Sequence, residues 1–405
     1  MKIIILHYSA PPVVGGVESV IDHHARLMTN DGQQVSVIAG RGAKFDERIP
    51  FYHFAPVDST HPQVLAIKKE LDGGTVSPRF GELVEKIKSG LLELLSNADI
   101  LIAHNVCSLN KNLALTAALN DVSRKNKTLR LILWHHDLAW TTPRYRKELH
   151  EGHPWDLLKT AWPNAVQVTI SDARQEELSS LMSLPKSQIT VVPNGVDVEK
   201  FFKLEEQTRA YVREFDLLQA GPLLLLPVRI TPRKNIELAL KILARLRTPF
   251  PTARLLVTGP LGPHNPQNKK YFERLRALRA ELGLDHAAHF LAGLTDEYVP
   301  DAVISDFYKL ADVLLFPSME EGFGIPILEA GFAGLPVFCS DIPPLRKLGG
   351  NHAIYFKPDE DPQAVANMIT EHLQASRIYG LRAEVRLHFT WESIYKEKIA
   401  PLLRL

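Results

Sequence analysis

Two cysteines in 405 residues, Cys107 and Cys339, lie far apart and each in an apolar stretch. That scarcity excludes a disulfide framework and a cysteine-built zinc knuckle, and it fits a reducing, cytoplasmic setting. No apolar run approaches the roughly 20 residues that a membrane-spanning helix needs. The run Lys2–Leu6 at the N-terminus is too short for a signal sequence and soon meets His7 and a Pro-Pro-Val-Val-Gly-Gly turn, so it reads as a buried first strand. An excess of charge of one sign is missing too. Forty-seven basic residues face 46 acidic ones, a formal charge of +1, and nothing global points to nucleic acid. No G-x-G-x-x-G follows the first strand, which argues against a dinucleotide-dependent oxidoreductase. Internal repeats and low-complexity tracts are likewise lacking. The basic cluster Arg144, Tyr145, Arg146 and Lys147 reads as a solvated face, with peripheral membrane contact left open.

What the chain does contain is a long alternation of short β-rich runs with helical patterns, the signature of parallel sheets covered by helices. The first half offers strands at Lys2–Leu6, Val35–Ile38, Ile100–His104, Leu131–Trp134, Val166–Ile170 and Ile189–Val192. A charged, helix-prone stretch from about Lys200 to Gln219 comes next. The alternation then restarts with Leu223–Val228, Leu255–Gly259, His289–Leu291, Val313–Pro317, Pro336–Cys339 and Ile354–Phe356. Two open α/β sheets in series predict two lobes with ligands held at the carboxyl ends of strands, in a cleft. The expected division is 1–203, 204–385 and a last segment, 386–405. In that segment Trp391, Ile394, Tyr395, Ile399 and Leu402 recur at helical spacing, so it reads as a helix returning across the hinge to the first lobe.

Chemistry concentrates at strand-to-helix turns. In Glu321-Gly322-Phe323-Gly324-Ile325-Pro326-Ile327-Leu328-Glu329 two carboxylates stand eight positions apart around a glycine turn, between a strand and a helix start. Glycines allow backbone to approach a ligand, and acceptor-only carboxylates suit paired sugar hydroxyls. Val228-Arg229-Ile230-Thr231-Pro232-Arg233-Lys234-Asn235 places Arg229 and Lys234 at a second such turn. Cations disfavour a helix N-terminus, so their presence favours a diphosphate clamp over a solvated helix start. Gly15-Gly16-Val17-Glu18 opens the first helix, with a structural turn and a phosphate contact both open. Trp134-His135-His136-Asp137-Leu138 ends a strand, and its histidine serves either a sugar hydroxyl or a core hydrogen bond to Asp137. His286 and His289 read as surface residues. Asp359-Glu360-Asp361 has the form D-x-D but sits between prolines, and reads as a loop and helix cap.

The stretch Pro317–Ala330 closely resembles the E-x7-E signature of retaining GT-B glycosyltransferases, most of all glycosyltransferase family 4. The likeness extends over nearly the whole chain, through Gly15-Gly16-Val17-Glu18, His136-Asp137-Leu138, Ser171, Asn194-Gly195-Val196-Asp197, Arg229–Asn235, Thr258-Gly259 and the final helix. The resemblance implies a GT-B fold of two Rossmann-like domains. It also implies a metal-independent hexosyltransferase needing no cofactor, with a nucleotide sugar as substrate. By the same resemblance Glu329 binds the ribose hydroxyls, Glu321 lies near the donor sugar, and the amides of Gly322, Phe323 and Gly324 contact sugar hydroxyls. Arg229, Lys234 and Gly16, beside Gly15, hold the diphosphate, with Gly259 in the same set and Gly293-Leu294 near the base. His136 is the active-site histidine, with His135 as a competing alignment. Two stretches depart from the family pattern, Gly262 to Asn268 and Asp296 to Asp306.

The reading is transfer of a hexose from a UDP- or GDP-linked donor to an acceptor hydroxyl on a small molecule, a glycan or a lipid-linked sugar. A phosphorylase, a sugar-nucleotide epimerase and a non-catalytic sugar-nucleotide binding protein are the alternatives.

Overall fold

The computed structural model describes residues 1–261, 267–294 and 298–404. They form two compact units. The first is Met1–Gly195 together with the segment from Trp391 onward, and the second is Val196–Thr390. The division falls at Gly195 and Thr390 rather than at 203 and 385. Leu204, Tyr211 and Val212 belong to the second core, with Val198 and Phe202 packed against it, so this helical stretch is part of the second unit.

The first unit is built on seven strands: β1 (Lys2–Ser9), β2 (Gln34–Arg41), β3 (Phe51–His53), β4 (Ile100–His104), β5 (Arg130–His135), β6 (Ala165–Thr169) and β7 (Ile189–Val191). They lie in the order β3-β2-β1-β4-β5-β6-β7, every pair parallel. Their near-continuous apolar character comes from burial on both faces. On one face Ile4, Leu6, Leu101, Leu131 and Leu133 pack with Val64, Ile67, Leu83, Ile87 and Leu115 from three helices. On the other, Ile3, Ile5, Ile100, Ile102 and Ile132 pack with Ile21, Ala25 and Met28 of the helix Gly16–Asn30.

Ile394, Tyr395, Ile399, Leu402 and Leu403 join that second face from the end of the chain. Polar contacts fix the segment: Tyr395 Oη donates to Asp31 Oδ2 at 2.7 Å, and Arg130 donates to the carbonyls of Leu402 and Leu403 at 2.7 and 3.1 Å. Its helix is α over Trp391–Ile394 and again over Ala400–Arg404, with a π segment at Tyr395–Ile399 between. Trp391 stacks on His23, their ring centroids 4.8 Å apart.

The second unit holds β8 (Leu223–Leu226), β9 (Arg254–Val257), β10 (Ala288–Phe290), β11 (Val313–Phe316), β12 (Val337–Ser340) and β13 (Ile354–Phe356). Their order is β10-β9-β8-β11-β12-β13, again all parallel. Both units are thus Rossmann-like. Two strands are shorter than their expected runs and a third starts one residue later, each where a proline stands. Pro227 and Pro317 follow β8 and β11, and Pro336 precedes β12, and proline has no N–H to give a ladder. The edge strand β3 is three residues long and has no periodic signal to betray it.

Candidate active site

In the second unit the chain leaves β8 toward β9 and leaves β11 toward β12, in opposite directions along the sheet. Such a reversal leaves a crevice outside the carboxyl ends of the two middle strands, where doubly wound sheets hold ligands. The loops after β8 and β11 carry the Arg229–Lys234 and Glu321–Glu329 motifs, and they are tied together. Met319 N donates to Arg233 O at 2.8 Å, and Arg233 Nη1 donates to Glu320 O at 3.1 Å. Lys234 Nζ donates to Glu321 Oε1, and Arg233 Nη1 stands 3.7 Å from Glu321 Oε2. Lys234 also lies 5.6 Å from the centroid of the Phe316 ring. Burial pulls the Lys234 pKa down, with Glu321 opposing that shift and the positive charges of Arg233 and Arg229 adding to it.

A cavity of about 300 Å³ brings three expected donor-site residues together: Arg229, Gly259 and Glu329 all line it, with Thr258, Tyr298 and Ile325. Arg229 is exposed and has no ion-pair partner among the described residues. Gly259 is there for close backbone approach, since a Cβ on it would lie 2.0 Å from Val228 O and 2.5 Å from Arg229 N. The loop bearing Arg229 can therefore lie against the end of β9 only over a glycine. Gly324 starts the helix Ile325–Ala333 at φ 104°, with Leu345 Cδ2 only 2.6 Å from where a Cβ would sit. Gly322 has open space about it, and Phe323 is exposed. Glu329, in the second turn of that helix, accepts from Tyr308 Oη at 2.6 Å. Gly293 and Leu294 follow β10 and are not among the residues lining the cavity. Of the two departures from the family pattern, 262–266 and 296–297 lie outside the described residues.

In the first unit His136 stands just past β5, 6% exposed. Asn105 seats it: this residue follows β4 in the left-handed region at φ 58°, and its Oδ1 accepts from the backbone N of His136 at 2.9 Å and of Asp137 at 3.0 Å. The ring partner of His136 is His104 rather than Asp137, Nε2 to Nδ1 at 3.1 Å, while Asp137 faces Arg174 at 3.7 Å. His135 turns into the sheet, its Nε2 2.8 Å from Gln167 Oε1 of the neighbouring strand β6. His7 donates from Nδ1 to the His104 carbonyl at 2.7 Å. His24 lies between Trp134 and Trp391, with no hydrogen-bond partner among the described residues for either ring nitrogen. Burial lowers all five histidines: His136 and His24 to about 3, His135 and His7 to about 4, and His104 well below its ordinary value. They are neutral imidazoles at physiological pH.

At Gly15-Gly16 the expected place for a phosphate is faced by the chain's own acid. A Cβ on Gly15 would lie 2.0 Å from Glu18 Oε2, and Ser9 Oγ donates to Glu18 Oε1. A carboxylate in a helix's first turn answers the same free amides that an anion would. Asp361 accepts from Gln363 N at 3.3 Å and caps the helix Pro362–Ala375, so the D-x-D is a cap. His289 is buried, not at the surface, stacked on Phe215 with centroids 4.4 Å apart. Among the described residues no three His, Cys, Asp or Glu side chains are grouped to hold a metal ion, and no helix is long and apolar enough to cross a membrane.

Sequence reasoning missed Tyr308, Asn105, His104 and the inward turn of Glu18. An asparagine closing a strand is a weak cue for a left-handed turn. Nothing local links Tyr308 to an acid 21 positions later.

The family described as Glycosyltransferase Family 4 matches residues 14–200, and that described as Glycosyl transferases group 1 matches residues 211–385. Among similar proteins, the mannosylglucosylglycerate synthase of Petrotoga mobilis is 25% identical over 295 residues, covering 69% of this chain and 67% of that protein. The protein of the same name from Thermotoga maritima is 23% identical over 382 residues, 85% of this chain and 83% of its own length. The D-inositol 3-phosphate glycosyltransferase of Acidothermus cellulolyticus is 28% identical over 248 residues, 57% of this chain and 52% of that protein.

Proposed function

This chain belongs to the GT-B glycosyltransferases of family 4 type, one glycosyltransferase family matching each half, and on that premise we propose that it moves a hexose from a UDP- or GDP-linked donor to an acceptor hydroxyl with retention of configuration. The observation that carries the reading is the shared cavity of Arg229, Gly259 and Glu329 at the strand ends. It sets a cation and a carboxylate acceptor on one concave surface, as a nucleoside diphosphate requires.

In this reading Glu329 accepts hydrogen bonds from the ribose hydroxyls. Arg229 faces the diphosphate, and Lys234, with three N–H bonds, keeps donors to spare beyond Glu321. Their positive charge stabilises the departing nucleoside diphosphate as the glycosidic bond breaks through an oxocarbenium-like state. Glu321 and the amides of Gly322, Phe323 and Gly324 lie toward the donor sugar, and the acceptor oxygen attacks the face the leaving group vacates. No metal is assigned a step. Gly15 and Gly16 have the smaller part, because Glu18 already faces that helix start. His136 offers a sugar hydroxyl a neutral imidazole held in register by His104 and Asn105. The relatives' names, mannosylglucosylglycerate synthase and D-inositol 3-phosphate glycosyltransferase, favour a small hydrophilic acceptor over a glycan or a lipid-linked one.

A thermal-shift panel of UDP-, GDP- and ADP-linked glucose and mannose tests the donor side. A donor at 100 times its Kd should stabilise the protein by about 2.7 kcal/mol. Transfer from that donor to glycerate or inositol phosphate, read by proton NMR, should give the donor's anomeric configuration. No stabilisation by any of the six, or an inverted product, overturns the reading.

A further inference from the structure

Glu329 stands between two cavities. One, of about 300 Å³, is shared with Arg229 and Gly259; the other, of about 510 Å³, is shared with Tyr308, Ser305 and Lys309. Glu329 is exposed on the helix Ile325–Ala333, and a free glutamate there would lose rotamer entropy on being fixed by a ligand. It is already fixed. Tyr308, from the helix Asp301–Leu310, is 4% exposed with its ring in the core of the second unit, and its hydroxyl donates to Glu329 Oε2 at 2.6 Å. Oε1 has no hydrogen-bond partner among the described residues. One oxygen is therefore held by Tyr308, and the other keeps its lone pairs for a ligand.

We propose that Tyr308 is a positioning residue for ribose recognition: its hydroxyl pins one oxygen of Glu329 so that the other meets the sugar hydroxyls of the donor nucleotide. This rests on the proposed binding of a nucleotide-sugar donor. The phenol is suited to the task. Burial, and then the Glu329 charge, raise its pKa above the ordinary value, so it donates throughout the physiological range. The side chain has two stiff torsions and a packed ring, so little freedom is lost in holding the acid.

Calorimetry on the full chain separates this role from a purely structural one. Titrations use UDP and GDP and their 2′,3′-dideoxy analogues, which lack the hydroxyls in question. Tyr308→Phe keeps the ring and should weaken binding of the tighter ribonucleotide by roughly 3–10-fold, the value of one hydrogen bond, while leaving its dideoxy analogue unaffected. Glu329→Ala should remove the preference for ribose outright, and the double variant should bind no worse than Glu329→Ala alone. An equal loss for both analogues in Tyr308→Phe, or no loss for either, overturns the positioning role. Unchanged ribonucleotide affinity in Glu329→Ala, or no binding of either ribonucleotide by the unaltered protein, overturns the donor reading and this inference together. Loss of ribose preference in Glu329→Ala with Tyr308→Phe intact sinks only the part given to Tyr308.

Discussion

Lys234 and Glu321 neutralise one another across two loops, and each side chain is only about a tenth exposed, at 10% and 9%. Arg229 on the same approach is exposed and has no ion-pair partner among the described residues, which gives the two cations different signatures on removal. Lys234→Ala takes from the nearly buried Glu321 its hydrogen-bonding cation and leaves it only Arg233 at 3.7 Å, at a cost of about 1–3 kcal/mol. It should therefore lower both the melting temperature and the turnover, the latter by roughly 10²–10³-fold. Arg229→Ala should lower turnover by a similar factor with the melting temperature unchanged. Initial rates and thermal melts on the two purified variants check this, and near-normal rates in both remove the cations from the chemistry. Both positions could be found in the sequence because a cation beside a helix start runs against the helix dipole. That Lys234 pairs with an acid 87 positions later could not be found that way.

Loops after strands carry the candidate site, and packing of neighbouring elements holds them in place. The Val228–Arg229 segment lies over Gly259, where a methyl group would meet the Val228 carbonyl at 2.0 Å. Gly259→Ala must push that segment away, so nucleotide affinity should fall and stability should drop by about 1–3 kcal/mol, the usual range for overpacking. Calorimetry beside a denaturant melt reads both, and full affinity in a destabilised protein would free the site from the loop's position. The helix from Trp391 is an element of a different kind. It closes one face of the first sheet with Ile394, Ile399, Leu402 and Leu403, each worth roughly 1.5–3 kcal/mol when buried. A chain ending at Thr390 should therefore lose the first unit's cooperative unfolding transition and keep the second unit's. Retention of both transitions in a calorimetric scan would show that this face closes without it.

At the scale of the whole molecule, the buried histidines among the described residues belong to the first unit apart from His289. His7, His24, His104, His135 and His136 have folded pKa values well under the unfolded value of about 6.5. Between pH 6.5 and about 4 the unfolded chain binds more protons, so stability is full above 6.5 and is lost as pH falls toward 4. Each histidine that titrates only on unfolding contributes a slope of about 1.4 kcal/mol per pH unit, so the first unit should melt steeply below pH 6. His24→Phe, which removes two buried nitrogens lacking partners, should flatten that acid limb, and melts from pH 8 to pH 5 would show it. An unchanged limb would place the acid sensitivity elsewhere. The two parallel sheets, twelve of their thirteen strands, and the strand-to-helix turns bearing Arg229, Lys234, Glu321 and Glu329 were legible from the chain alone, because apolar period, proline and glycine act over a few residues. The convergence of Arg229, Gly259 and Glu329 on one cavity, the grip of Tyr308 on Glu329, and the choice of His104 over Asp137 as the partner of His136 came only with the folded chain. Each joins groups separated by 21 to 100 positions, and only the packing of strands and helices in the folded chain brings such distant groups onto one cavity or within a hydrogen bond.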